Sequence, residues 1–290
     1  MKFNEEITII IVAYDSSDLI FKCLENLDNF KVIIVDNGKN ENILNKLHSK
    51  NNFKIITKNK NLGFGNGINF AFQYVKSKYF LVLNPDIIIS EESILKLLQT
   101  IAKYDNCAIS APLTLTDVDS YGILPEKRNI FEKNKNKISR ISEKNSDLPK
   151  DEICVDVAKG CALMINSKYF KEVDMFSKEY FIFWEEIDLC RKFLNKKLSI
   201  IVNPLAEAYH NQGKSSKANF VNQFMRFYHN ELSPLYYFDV KKNSFHIYKN
   251  IFKYLFRSFS YLLILNFRNS LKNFAKLSAN IFYVLKRWKI

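Results

Sequence analysis

A chain of 290 residues that is 47% hydrophobic can fill one large α/β domain with an appendage, or two small domains. Its five cysteines, Cys23, Cys107, Cys154, Cys161 and Cys190, are odd in number and scattered, with no C-x-x-C pair; this argues against a disulfide framework or a zinc site and fits a reducing cytoplasm. The net charge of +13 is uneven: residues 241–290 carry eleven Lys or Arg and no Asp or Glu, leaving 32 basic against 30 acidic residues elsewhere, so an anionic partner concerns the C-terminal segment.

The opening Met-Lys-Phe-Asn-Glu-Glu lacks the apolar length and small-residue cleavage site of a signal peptide. Ile7–Ala13 and Lys31–Asp36 read as buried strands. Between them Leu19, Ile20, Cys23, Leu24 and Leu27 recur at helical spacing, with Ser16, Ser17 or Asp18 as caps, which makes a βαβ unit. Phe53–Thr57 reads as a third strand, Gly63–Gly67 as a glycine-rich turn, Ile68–Val75 as a helix, Tyr79–Leu83 as a core strand and Ser93–Ala102 as a further helix. The alternation predicts a doubly wound, mostly parallel, Rossmann-like sheet. From about Asp117 to Asp156 the chain turns polar and rich in Lys and Asn, which reads as a surface excursion. Order is expected again over Val157–Ile165 and on to Tyr209, with a short strand at Leu198–Val202 and a loop containing Pro204. Beyond about Asn219 the pattern is helical, aromatic and then basic.

The sharpest signal is Tyr79-Phe80-Leu81-Val82-Leu83-Asn84-Pro85-Asp86, an apolar run ending in Asn-Pro-Asp. Open α/β sheets bind ligands beyond the carboxyl ends of their strands. A carboxylate delivered there can hold a metal ion against a phosphate, although Asn-Pro is also a common turn. Glycines near residue 65 let a backbone approach a ligand closely. They do not form a dinucleotide fingerprint: position 68 is isoleucine where glycine is needed, and the turn follows the third strand rather than the first. Glu185, Glu186 and Asp188 either open an exposed helix, where carboxylates favour the dipole, or do acid–base chemistry.

Four patches stand in order: Ile11–Ser16 with Val35-Asp36-Asn37-Gly38; Asn61–Asn69 running on to Asp86; Lys159–Ile165; and Phe181–Arg191 with Pro204–His210. The series resembles the inverting family-two glycosyltransferases of the GT-A fold, in particular their bacterial rhamnosyltransferase-like branch, over roughly residues 7–216. The resemblance implies a GT-A catalytic domain over 1–218, with a donor half to about 115 and an acceptor half over about 116–218, followed by a basic aromatic helical segment over 219–290. It implies a nucleotide-sugar donor bound by Ala13, Tyr14, Asp36, Asn61, Gly63, Gly67 and Asn84. It implies Mg²⁺ or Mn²⁺ held by Asp86 and His210, with Asn84 standing where the family's D-x-D motif has its first Asp. It implies Glu186 as the base that deprotonates the acceptor, with Glu185 beside it, and Trp184, Asp188 and Gly160 toward the acceptor. The family's base is normally Asp; Glu186 keeps the carboxylate one methylene further out. Ser177, where relatives often have Asp, and Val173-Asp174-Met175, where glycines are usual, depart from the pattern. By resemblance the donor is dTDP-rhamnose and the acceptor a glycan or lipid-linked glycan.

In the tail, Lys249, Lys253 and Arg257 stand four apart, as do Arg268, Lys272 and Lys276, and make helical stripes, with Ile251, Phe252, Leu255, Phe259 and Leu262 on other faces and Phe252, Phe256 and Phe259 as the residues expected to insert among apolar chains. The longest charge-free run there, Ser258–Phe267, is ten residues, too short to span a bilayer. The pattern reads as a peripheral anchor on an anionic membrane surface, on the cytoplasmic side, or alternatively as a helical subdomain or homodimer interface. Nothing accompanies these charges that would recognise nucleic acid. Two rival functions remain: a non-catalytic nucleotide-sugar or glycan-binding homologue, and a nucleotidyltransferase, which would need a basic glycine-rich signature that Ala13–Asp18 lacks.

Overall fold

A computed structural model describes residues 5–16, 19–38, 52–115, 121–125, 149–210, 219–241 and 244–286. It divides into two compact units: residues 1–178 with 185–217, and Glu179–Trp184 with residues 218–290.

The first unit is built on a nine-stranded mixed sheet, counted over the described residues. β1 (Ile7–Ala13), β2 (Lys31–Asp36), β3 (Phe53–Thr57) and β4 (Tyr79–Leu83) form a parallel half in the order β3-β2-β1-β4. β1 and β4 are buried at every position, as expected of strands covered on both faces. Helices α1 (Leu19–Leu24) and α2 (Phe64–Phe72) lie in the connections. The sheet continues through β5 (Ile87–Ile89), β6 (Cys107–Thr114), β8 (Ile153–Cys154), β10 (Ala162–Asn166) and β11 (Ser199–His210). Beyond β4 the order is β10-β6-β11-β5, with β8 also paired to β11. β7 (Tyr121–Gly122) and β9 (Val157–Ala158) make a separate two-stranded ribbon. Helix α3 (Glu91–Lys103) is capped by Ser90, whose hydroxyl accepts from the Ser93 N–H, and carries Glu91 and Glu92 in its first turn, where acids favour the helix dipole. Helices α4 (Ser167–Glu172) and α5 (Glu185–Asn195) complete the unit.

Three expectations shift. The helix after the glycine patch starts at Phe64 rather than Ile68, so Gly65 and Gly67 lie inside it. Gly63 is its cap, at φ 80 and ψ −177, a backbone conformation open essentially to glycine alone. The strand that reads as ending at Val202 runs on through Pro204 to His210; a register shift against β6 between Asn203 and Glu207 accommodates the proline. Within the stretch read as a polar excursion, β7 and β8 pair with the ordered fold, and Glu152 accepts hydrogen bonds from Thr100, Lys103 and Tyr104 on or beside α3. Residues 116–120 and 126–148 of that stretch lie outside the described residues, as do Ser17 and Asp18.

The second unit consists of α6 (Phe220–Tyr237), α7 (Phe245–Leu263) and α8 (Phe267–Leu285) with Glu179–Trp184. Phe181 stacks on His229, Tyr180 meets Tyr236 edge-on, and Trp184 packs on Tyr237 and Phe238. Glu231 on α6 accepts from Lys276 and Asn280 on α8, which fixes the register of those two helices.

Candidate active site

The order of the parallel strands reverses at β1, which has β2 on one side and β4 on the other. Such a switch point leaves a crevice outside the carboxyl ends of the strands. Ala13 and Asp36 are register partners there, and Ile11 pairs with Leu83 one residue before Asn84.

The donor-side residues are tied into one loop cluster. Asp36 accepts from the Gly38 N–H at 3.0 Å, and a Cβ on Gly38 would come within 3.1 Å of the Tyr14 ring, so ring and turn lie against each other. Asn37, a residue given no role on sequence grounds, is buried and links three segments. Its N–H donates to the Ala13 carbonyl, its amide donates to the Gly63 carbonyl at 2.8 Å, and its side-chain oxygen accepts from the Leu62 N–H. Asn61 accepts from the Gly63 N–H at 2.9 Å and so shapes the turn that opens α2. Gly67 lies against Val12 and Asn37, where a Cβ would approach to 3.1 Å, and Gly65 lies as closely on Phe176. Both glycines therefore let α2 seat tightly.

Asp86 ends the turn after β4, in which the Ile87 N–H donates to the Asn84 carbonyl. It is 2% exposed, and neither carboxylate oxygen has a hydrogen-bond donor. Its facing group is His210, with Nε2 at 3.5 Å from Oδ1. The antiparallel pairing of β11 with β5 sets that distance, because His210 is the register partner of Ile87. A buried carboxylate without donors is costly to leave uncompensated. A carboxylate and an imidazole with open oxygen positions fit a hard divalent cation. The Cys23 thiol lies beneath, on the Asn84 carbonyl; burial, and secondarily the charge of Asp86, push it up to about 12, so it stays protonated and is no thiolate ligand. Among the described residues no three His, Cys, Asp or Glu side chains converge on one point.

The acidic cluster opens α5 and its members differ. Glu185 is buried, with Oε2 lacking a hydrogen-bond partner. Burial, reinforced by the charge of Glu186, holds its carboxyl well above the usual range, which favours its protonated form. Glu186 is only half-buried and lies over Gly160, where an added Cβ would meet its Cβ at 3.1 Å and its Cγ at 3.3 Å. Asp188 is buried and occupied: it accepts from the Ser177 hydroxyl at 2.6 Å and from Arg191. Serine at 177 thus supplies a donor where an aspartate would oppose Asp188. Asp174 and Met175, at positions where glycines are usual, do take the left-handed conformation, with φ 55 and 56. Phe183 and Trp184, just before Glu185, have φ 67 and 73. Trp184 belongs to the second unit, against Tyr237 and Phe238.

The profile of glycosyl transferase family 2 matches residues 8–170. The chain belongs to that family. It is a glycosyltransferase that moves a sugar from a nucleotide sugar, and its fold is of the GT-A type with C-terminal helices. Among characterised relatives, the Escherichia coli K12 rhamnosyltransferase WbbL is 27% identical over 240 residues, covering 74% of this chain and 87% of the relative. The Haloferax volcanii low-salt glycan biosynthesis hexosyltransferase Agl10 is 25% identical over 216 residues, covering 72% and 68%. Two solved structures share the fold. One is a Pyrobaculum calidifontis mannosyltransferase in complex with GDP-Man and Mn²⁺, with TM-score 0.55, 10% identity, and coverage of 97% of this chain and 72% of that one. The other is GalNAc-T7 with UDP, GalNAc and Mn²⁺, with TM-score 0.58, 11% identity and 76% of this chain covered; the chain spans 46% of that protein's length.

Proposed function

We propose that this glycosyltransferase is inverting and metal-dependent. It would transfer a hexose, with dTDP-rhamnose the first donor to test, to a hydroxyl of a glycan or lipid-linked glycan at a membrane surface. The observation that carries the reading is Asp86: a buried carboxylate without hydrogen-bond donors, facing His210 at 3.5 Å, at the end of the strand beside the switch point.

In this reading Ala13, Tyr14 and Asp36 take the base and ribose of the donor, since an acceptor-only carboxylate suits a base N–H or a ribose hydroxyl. Asn61 and Gly63 present the N-terminus of α2 toward phosphate. Asp86 and His210 would hold Mg²⁺ or Mn²⁺, which when bound would neutralise charge on the diphosphate. Glu186 takes the proton of the acceptor hydroxyl. The oxygen forms its bond to the anomeric carbon from the face opposite the diphosphate, the bond to the diphosphate oxygen breaks, and configuration inverts. Glu185, held protonated, is a hydrogen-bond donor rather than a base.

The test is release of nucleoside diphosphate from a panel of nucleotide sugars, with Mn²⁺ and with chelator. Metal-dependent release from one donor supports the reading. Donor binding with no release and no transfer from any donor would favour a non-catalytic nucleotide-sugar-binding protein.

A further inference from the structure

Helix α7 faces the wrong way for a helix of a water-soluble bundle. Its inward positions, Ile247, Asn250, Tyr254 and Ser258, are largely polar and hydrogen-bonded: Asn250 accepts from Lys253, and Ser258 and Ser270 of α8 exchange hydroxyl-to-carbonyl bonds. Its outward face is aromatic and aliphatic. Phe252, Phe256, Phe259 and Leu263 stand between 60% and 72% exposed, and Leu265 in the turn to α8 is 73% exposed. At about 100° per residue these helix positions share one sector, with Lys249 about 20° beyond its edge and Arg257 about 100° beyond it on the same flank. Exposed apolar patches of this size mark an interaction surface.

The turn adds an independent sign. Leu265 sits at φ 55 in the left-handed region, where the helix ends with its N–H bonded to the Leu262 carbonyl. Glycine or asparagine suits that position better. A leucine there gives the turn no local advantage and places an apolar side chain at the exposed tip, beside Ile264 and Phe267.

We propose that α7 and the α7–α8 turn lie in the plane of an anionic bilayer, with Phe252, Phe256, Phe259, Leu263 and Leu265 among the acyl chains and Lys249 and Arg257 at the headgroups. This deepens, and rests on, the membrane-facing part of the proposed function. The occupant follows from charge. Residues 241–290 hold eleven basic and no acidic residues, so pairing this face with a second copy would bring like charges together, whereas anionic headgroups match them. No helix among the described residues is long and apolar enough to cross a membrane, so the contact lies on the surface.

The test uses the full chain and two kinds of vesicle, phosphatidylcholine alone and phosphatidylcholine doped with phosphatidylglycerol. The parent protein should float with the doped vesicles and retain part of that binding at high salt. Phe252→Ser, Phe256→Ser and Phe259→Ser should each weaken the salt-resistant part by about tenfold, the scale of removing one buried phenylalanine from an apolar phase. Lys249→Glu with Arg257→Glu should abolish the preference for phosphatidylglycerol. Phe256→Trp should be quenched by brominated acyl chains beyond any quenching of the parent. Nucleotide-sugar affinity and melting temperature should stay at parent values in all of these variants, which keeps failure here distinct from failure of the donor-binding reading. Unchanged flotation of a variant combining Phe252→Ser, Phe256→Ser and Phe259→Ser would overturn the proposal. So would a triple variant that converts a dimer to a monomer without altering flotation, which would assign the face to self-association.

Discussion

The backbone N–H of Asn84 donates to the carbonyl oxygen of Cys161 at 2.9 Å. This bond joins two corners of the candidate site, because Asn84 stands two residues before Asp86 and Cys161 follows the glycine beneath Glu186. The antiparallel pairing of β4 and β10 continues directly behind it, with Ala162 opposite Leu83. The loop that carries the carboxylate assigned to metal is therefore tied by this bond to the turn on which the carboxylate assigned to proton removal packs. Turns anchored directly at strand ends keep their geometry better than free loops.

Asp86→Asn should reduce donor affinity in Mn²⁺ to its metal-free level and lower turnover by about 100-fold or more, since the metal supplies several kcal/mol of charge stabilisation. In chelator the variant should melt no lower than the parent, because the substitution removes a buried charge that lacks donors. Calorimetry with and without Mn²⁺, together with melting curves, checks both. Metal-dependent donor binding that survives the change would remove Asp86 from the metal site.

The two glutamates should separate cleanly. Glu186→Gln should lower kcat by roughly 100-fold or more with donor affinity retained, the scale of losing a general base. Glu185→Gln imitates the protonated form that burial already favours, so it should stay within about threefold of the parent, well below the loss of a base. The pH dependence has a definite sign. The folded carboxyl of Glu185 titrates above its ordinary 4.5, so the folded state holds the proton more tightly and parent stability falls as pH rises from there toward the raised value. Glu185→Gln should lack that decline. Melting temperature against pH for the two proteins is the measurement, and parallel curves would refute the assignment.

Gly160→Ala should act on kcat while leaving donor affinity alone. The new methyl would lie 3.1 to 3.5 Å from the Glu186 stem and carboxyl carbon and would push the carboxylate aside. A displacement on the order of 1 Å can cost up to about 100-fold in rate. Steady-state kinetics beside donor titration reads this out; a loss confined to donor binding would contradict it.

Gly63→Ala should destabilise the protein by about 1–3 kcal/mol, because φ 80 with ψ −177 is closed to residues with a Cβ. Donor affinity should fall with it, since the same glycine donates its N–H to Asn61 and accepts at its carbonyl from Asn37. Urea titration and donor calorimetry measure the two effects.

His229 should make the helical unit sensitive to acid. Burial lowers its imidazole to about 4, while in the unfolded chain it titrates near 6.5. The unfolded state therefore binds the proton first, and stability should be lost as pH falls from about 6.5 toward 4, by up to a few kcal/mol. His229→Phe keeps the stacking on Phe181 and should flatten that part of the profile. An unchanged acid slope in the variant would exclude His229 as its source.

Much of this was legible in the sequence because the physics is local. The runs Ile7–Ala13, apolar apart from Thr8, and Tyr79–Leu83 are buried parallel strands, and their ends lead to the candidate site. What stayed hidden depends on partners distant in the chain. The glycines at 65 and 67 carry no sign of Phe176 or Val12, so the helix there reads as a turn. Asn37 looks like a turn residue until Gly63 and Leu62 arrive from 25 residues away. The difference between Glu185 and Glu186 is a difference in burial alone, which identical neighbouring letters cannot express. The outward face of α7 is visible as a stripe, but its polar inner face is recognisable only once Ser258 finds Ser270.

The grouping of Glu179–Trp184 with the C-terminal helices bears on how this enzyme can be cut or recombined. A chain ended near residue 218 would keep Tyr180, Phe181 and Trp184 while losing Tyr236, His229, Tyr237 and Phe238, leaving three aromatic rings stranded directly ahead of Glu185. Any graft of the tail onto a relative would have to carry this hexapeptide with it, so the helical tail and Glu179–Trp184 can only be inherited together.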